Sequence, residues 1–204
     1  MNLSNEQDDG WLKYYKDQTG RPPRAIMNKA ISCCAEADGI TPRRAADLGC
    51  GEGTETLALL RLGWHVLAID QKPEAIALLE EKVDPEHRAL LATRVAIMET
   101  FDLPPLDLFL ACFSLPFCRP AYFPALWETV KKSLVPGGIF AGQLFGLRDS
   151  WASNHQMTFH AREGIEELLG SFDVIELREE EEDGHASSGP KHWHLFHVVA
   201  RKKL

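Results

Sequence analysis

The stretch Ala45-Ala46-Asp47-Leu48-Gly49-Cys50-Gly51-Glu52-Gly53-Thr54 admits few folds. A short apolar run ends at Leu48, glycines follow at 49, 51 and 53, and a helical run begins near Thr54 and closes at Gly63. An apolar strand, Trp64 to Ile69, then ends in Asp70, 21 residues after Gly49. Strand, glycine-rich turn, helix, strand and acidic tip make a βαβ unit. The glycines let a ligand press against bare backbone. The acidic tip is placed to hold the hydroxyls of an adenosine ribose. A turn that serves packing alone leaves this aspartate unexplained.

Two ligand classes use such a unit. A nicotinamide dinucleotide calls for G-x-G-x-x-G, because the helix N-terminus must cradle a pyrophosphate. Here the spacing is G-x-G-x-G, and Thr54 stands where the last glycine would be. Charge argues the same way. Asp47 lies just before the turn and Glu52 inside it. Two carboxylates repel a pyrophosphate but suit a ligand carrying an amino group and a sulfonium. S-adenosyl-L-methionine is such a ligand.

The rest of the chain supplies the expected frame. At 204 residues it is sized for one domain with a real core, and no apolar stretch is long enough to span a membrane. Gly20-Arg21-Pro22-Pro23-Arg24 reads as a turn, after which a helix runs to about Ala37 with Ile26, Ala30, Cys33 and Ala37 on one face. Pro73 opens a helix with Ile76, Leu79 and Val83 inward, and a third strand falls within Leu90 to Met98. Leu108 to Phe113 is a continuous apolar run, as a strand covered on both faces requires. A helix over Pro124 to Leu134 is broken by Pro136-Gly137-Gly138, and a fifth strand follows over Ile139 to Phe145. Arg162 to Leu169 is a short helix. Phe172 to Leu177 and Trp193 to Ala200 are strands with no helix between them, so they pair as an antiparallel hairpin, and the acidic run Glu179 to Asp183 is expected at its solvated tip. The fold class is therefore α/β: a Rossmann-like, seven-stranded, mostly parallel sheet with helices on both faces and an antiparallel C-terminal hairpin. Residues 1–40 are expected to form a helical arm or lid of the same domain, and residues 41–204 its body.

The motif D-L-G-C-G-E-G-T (Asp47 to Thr54) resembles the first motif of class I S-adenosylmethionine-dependent methyltransferases, and the resemblance extends over most of the chain. It implies a cofactor site built from Asp47, Gly49, Cys50 and Gly51, with Asp70 on the ribose and Gln71 beside it. Glu99 and Thr100 match the adenine-contacting position, with Asp102 as a rival. Pro136-Gly137-Gly138 before the fifth strand is a frequent family feature. The segment Trp11 to Arg24 is similar to the N-terminal segment that closes over the cofactor in small-molecule members, the tellurite-resistance-like and thiopurine-like groups. By that likeness Arg24 or Arg21 meets the methionine carboxylate, where a guanidinium fork suits the geometry, and Tyr14 or Tyr15 shields the sulfonium or the carboxylate. Each also has a plainer role, as a solvated arginine at a helix start or a ring packing the arm on the core.

The methyl acceptor belongs beyond the carboxyl end of the fourth strand, at Ser114-Leu115-Pro116-Phe117. Enzymes that methylate amino groups of nucleic acids and proteins often carry N-P-P-Y there. Ser114 and Leu115 replace its first two residues, which disfavours nucleobase or glutamine N-methylation. Ser114 is a candidate for both cofactor and acceptor contact, unless its hydroxyl bonds its own backbone. Trp151, His155 and His160, in the loop after the fifth strand, are candidate acceptor contacts; the plainer reading has Met157 and Phe159 covering the sheet edge and the histidines facing water. Cys112 and Cys118 flank the acceptor stretch, and buried packing is expected of Cys112.

Composition narrows the alternatives. A formal net charge of −8 without a basic cluster argues against nucleic-acid partners. The first ten residues are polar, with no signal-peptide core. Five cysteines, two of them adjacent, fit reduced thiols and a cytoplasmic protein better than a disulfide frame. His192 and His194 project to one face of the last strand and His197 to the other, so the three cannot chelate one metal, and no metal is expected. The sequence thus points to methyl transfer onto a small molecule. A non-catalytic S-adenosylmethionine-binding sensor or subunit and an NAD(P)-dependent oxidoreductase are the alternatives.

Overall fold

The structure is a computed structural model, describing residues 15, 18, 20–35, 43–98 and 102–204. Tyr14, Ala37, Glu99 and Thr100 lie outside the described residues. The strands are β1 (Arg44–Leu48), β2 (His65–Asp70), β3 (Leu91–Val95), β4 (Leu106–Ala111), β5 (Leu134–Gly146), β6 (Phe159–His160), β7 (Phe172–Ala186) and β8 (Gly189–Lys202). The α-helices are α1 (Ala25–Ala35), α2 (Thr54–Arg61), α3 (Pro73–Lys82), α4 (Phe123–Ser133) and α5 (Arg162–Leu168).

The strands form one sheet in the order β3-β2-β1-β4-β5-β8-β7, and β6 pairs with β5 off this path. Pairing is parallel from β3 across to β5 and antiparallel for β5–β8 and β7–β8. Strand alternation sorts the core into two layers. Ala46, Leu48, Phe109 and Phe140 pack beneath Leu126, Trp127 and Val130 of α4. Ala45, Leu108, Leu110 and Ile139 face Met27, Ala30, Leu59 and Leu79 from α1, α2 and α3. The order reverses between β1 and β4, which opens a crevice at their carboxyl ends, where ligands of open α/β sheets bind.

The third strand lies within its expected span and stops at Val95, where β2 ends at its partner Asp70. Three details differ from expectation. Pro136-Gly137-Gly138 does not separate helix from strand: α4 ends at Ser133, and β5 begins at Leu134. The three residues bulge out between the pairs Leu106–Leu134 and Leu108–Ile139, with Gly137 at φ 81°. An eighth short strand, β6, lies beside the end of β5, as close to the sheet as the covering role expected of Phe159. Finally, the hairpin arms are 15 and 14 residues long, and its turn is at Ser187 and Ser188. The acidic run is therefore inside β7, not at the tip. Arg148 bonds Glu179 and Glu181, Arg162 bonds Glu179, and His192 contacts Glu181 and Asp183. These cations hold a charged edge strand in extended form, and charge on an edge discourages sheet-to-sheet association.

Candidate functional site

The crevice is a single cavity of about 970 Å³ running from Asp70 and Gly51 past Gly49 and Ser114 to Trp151 and Trp193. That is near the upper end for a site holding one drug-sized ligand.

At one end the turn after β1 is anchored to β2. The amides of Gly49 and Cys50 both donate to the Ile69 carbonyl, at 2.7 and 3.0 Å. Gly49 has φ 68°, and a Cβ there would collide with that of Ser114. The chain thus brings β1 and β4 together at the switch point only because this residue has no side chain. Gly53, at φ 93°, makes room on the other side of the turn, since a Cβ there would run into Leu79 of α3. Asp70 accepts from the amides of Gly51 and Lys72, each at 2.9 Å, and from the Tyr15 hydroxyl at 3.4 Å. Burial pushes its carboxyl above the usual range, opposed by these hydrogen bonds. Gln71, Ala96 and Met98 line the cavity nearby.

Asp47 is buried at the end of β1 and accepts a 2.7 Å bond from Thr56. Burial, and then the neighbouring Glu55 carboxylate, push its pKa up to about 7. Glu52 is the less available acid, because Lys82 and Thr54 both bond it. Glu55, in the first turn of α2, is the second carboxylate of the site, and no motif in the sequence singles it out. It takes a two-pronged bond from Arg21, 2.6 Å on each oxygen, and one from the Arg24 amide at 3.2 Å. Its signal was its place one residue into a helix that opens on the cavity.

Arg24 projects its guanidinium over the Phe113 ring, 4.3 Å from the centroid, and lines the cavity. Arg21 lines it too, but its fork is spent on Glu55. Phe113, the residue two beyond β4, is the sole non-glycine residue at positive φ among those described, at 57°. Its amide donates to the buried Gln143 side chain at 3.1 Å, which holds this strained backbone in place. Tyr15 lies against Asp70 and Gly51, with its hydroxyl bonded to the Asp70 carboxylate. Cys50 and Cys112 line the cavity floor, and burial pushes both thiols up, away from the thiolate a nucleophile needs. Asp102 does not line the cavity; it is exposed, and its carbonyl bonds Arg94.

The other end is aromatic. Phe113, Phe117, Phe145, Trp151 and Trp193 pack with Met157 and Leu195 in a third apolar cluster. Trp151 lines this end of the cavity, and Ser114 stands between the two halves with a buried Oγ that has no hydrogen-bond partner among the described residues. His155 and His160 are not part of it. The loop doubles back to pair β6 with β5, pinned by Thr158, whose amide and hydroxyl bond the carbonyls of Pro116 and Cys118 at 2.8 and 2.7 Å. This carries His160 onto Phe123, ring centroids 4.7 Å apart, where burial lowers its pKa to about 4. His155 sits exposed on the outer turn. In their place the hairpin brings Glu182, His185, Ser187 and Ser188 to the cavity mouth. The expected faces of the last strand hold: His192 bonds the acidic run, His194 does so beside it, and His197 meets Gln143 on the opposite face.

Comparison with known proteins agrees with this geometry. Residues 45–138 match the family described as "Methyltransferase domain". The magnesium-protoporphyrin O-methyltransferase of Rhodobacter capsulatus is 33% identical over 117 residues, 57% of this chain and 52% of that protein. The chain thus spans about half the length of that curated relative. TehB from Haemophilus influenzae superposes with a TM-score of 0.70 at 19% identity, covering 93% of this chain and 66% of that one. The glycopeptide N-methyltransferase MtfA, crystallised with S-adenosyl-L-methionine, does so at 0.59 and 18% identity over 88% of this chain and 99% of that one. At these identities the two structures speak for the fold.

Proposed function

We propose that this chain, which carries a class I S-adenosylmethionine-dependent methyltransferase domain, transfers a methyl group to a small-molecule acceptor. The observation that carries the reading is the continuity of the cavity. A polar half with the acids and glycines of a cofactor site opens directly into an aromatic half, and side chains line that second half without filling it. A sensor that only bound the cofactor would have no use for the second half, and a pyrophosphate would meet Asp47 and Glu55.

The residues fit the group. Asp70 is positioned for the ribose hydroxyls, Asp47 for an amino group, and Arg24, the arginine not committed to Glu55, for a carboxylate. Ala96 and Met98 offer apolar surface to an adenine. When bound, S-adenosyl-L-methionine supplies a methyl group already activated by its sulfonium. The protein itself aligns the acceptor and excludes water, and positioning of that kind can supply up to roughly 7–11 kcal/mol of barrier reduction without a catalytic side chain. Ser114 stands where its hydroxyl can orient the attacking atom. Residues 1–40 are read as a helical arm of the same domain, whose α1 packs against the sheet. The cytoplasm is the proposed location, supported by five unpaired cysteines; no helix among the described residues is long and apolar enough to cross a membrane.

The test is incubation of the purified protein with methyl-labelled S-adenosyl-L-methionine and a fractionated metabolite extract, followed by mass spectrometry. The reading expects label in a small molecule, lost in Asp70→Ala. Tight S-adenosylhomocysteine binding with no transfer to any fraction would favour the sensor.

A further inference from the structure

The acceptor half of the cavity has a charge pattern of its own. Its wall is a cluster of rings packed on one another at tilted or edge-on angles: Trp151 lies 5.9 Å from Trp193 and 6.4 Å from Phe117, and Phe113 lies 6.2 Å from Trp193, centroid to centroid. The hairpin register sets Glu182 directly opposite Trp193, so both project from the same face, and both line the cavity. The rest of the acidic run has cationic partners. Glu179 and Glu181 have Arg148, Glu180 has Arg178, and Asp183 has His192. Glu182 has no ion pair among the described residues, and it is the one member of the run that lines the cavity.

Cations near the chamber are spoken for. Lys191 lies behind the rings, 3.8 Å from the Trp151 centroid and 4.4 Å from that of Trp193, but it is paired with Asp149, and both side chains are fully buried. That pair fixes the rings and presents little net charge to the cavity. Arg24 lies on Phe113, at the boundary of the two halves, and is assigned above to the donor's carboxylate. Among the described residues, the acceptor half therefore offers aromatic surface and one carboxylate without an ion pair at its mouth, and no lysine or arginine lines it there beside Glu182.

We propose that the acceptor is a flat, largely apolar molecule with a positively charged amine at the end remote from the attacked atom. Its body lies against the wall that Trp151 and Trp193 form, and Glu182 receives its ammonium at the cavity mouth. An acceptor ending in a carboxylate meets repulsion at the same place. This rests on the methyltransferase reading, because it needs the cofactor half to be filled by the methyl donor.

The experiment is calorimetry on the protein saturated with S-adenosylhomocysteine, titrated with two probes of similar shape and opposite charge, tryptamine and indole-3-propionate. We expect tryptamine to bind at least ten-fold more tightly, and Glu182→Gln to remove most of that preference while its affinity for S-adenosylhomocysteine stays unchanged. The substitution is on an exposed position, so the fold is retained, which a thermal melt checks. Equal or tighter binding of indole-3-propionate overturns the proposal. So does a preference that survives in Glu182→Gln, or the lack of saturable tryptamine binding at millimolar concentration. Failure to bind S-adenosylhomocysteine in the first place overturns the methyltransferase reading instead.

Discussion

Lys191→Met isolates the device that holds the aromatic wall in place. Lys191 and Asp149 form an ion pair with both side chains at 0% exposure. The ammonium is ringed by Trp151, Trp193 and Phe145, and burial pulls its pKa below the usual lysine range against the pull of Asp149. Asp149 also accepts from the amides of Trp151 at 2.9 Å and His194 at 3.3 Å, tying the loop after β5 to the hairpin. Methionine keeps the length of the side chain and its contact with the rings but strands the carboxylate. Removing one partner of a buried pair costs about 3–5 kcal/mol. For a chain of this size that is a melting-temperature fall of roughly 6–20 °C. Asp149→Asn should cost a similar amount, and the double variant should recover at least about 1 kcal/mol relative to the sum of the two. Urea unfolding of the four proteins measures this cycle. Single variants that each lose less than about 1 kcal/mol, with no coupling between them, would refute the claim that this pair organises the wall.

Three further outcomes follow from the cofactor half. Asp47 is a carboxyl whose folded pKa is raised to about 7, so its contribution to stability is full below its unfolded value and is lost as pH rises through about 7. A bound ammonium favours the ionised form, so S-adenosylhomocysteine affinity should climb between about pH 5 and pH 8, and Asp47→Asn should flatten the profile in calorimetry. Asp70→Ala removes a charged acceptor of ribose hydroxyls and should weaken the same ligand by about 1.5–3 kcal/mol, roughly 10–150-fold; unchanged affinity removes Asp70 from that role. Gly49→Ala combines a left-handed backbone with a collision at Ser114 and should cost about 2–5 kcal/mol in urea unfolding, with loss of ligand binding; a wild-type midpoint would contradict the close approach of β1 and β4.

The cofactor half was legible because it is local. Glycine spacing, the strand-end Asp70 and the apolar run of β4 each speak through residues a few positions apart. The acceptor half was not, because it is assembled from distant segments. Whether His155 and His160 reach the cavity depends on two hydrogen bonds from Thr158 to Pro116 and Cys118 that no local pattern reveals. The hairpin reaches further than expected because an acidic run has the composition of a solvated loop; counting back from the Ser187-Ser188 turn along the pairing carries Glu182 to Trp193. The pairing that separates Arg21 from Arg24 is equally hidden, since the bond from Arg21 to Glu55 spans 34 residues.

Every functional step above requires that the turn at residues 49–53 take a cationic adenosyl compound and reject an anionic dinucleotide. Side-by-side calorimetric titration of the full chain with S-adenosyl-L-methionine and with NAD decides between them. Saturable one-to-one binding of the first, with no heat from the second at the same concentrations, is the predicted result. Tight NAD binding, with the sulfonium compound failing to bind, would contradict it.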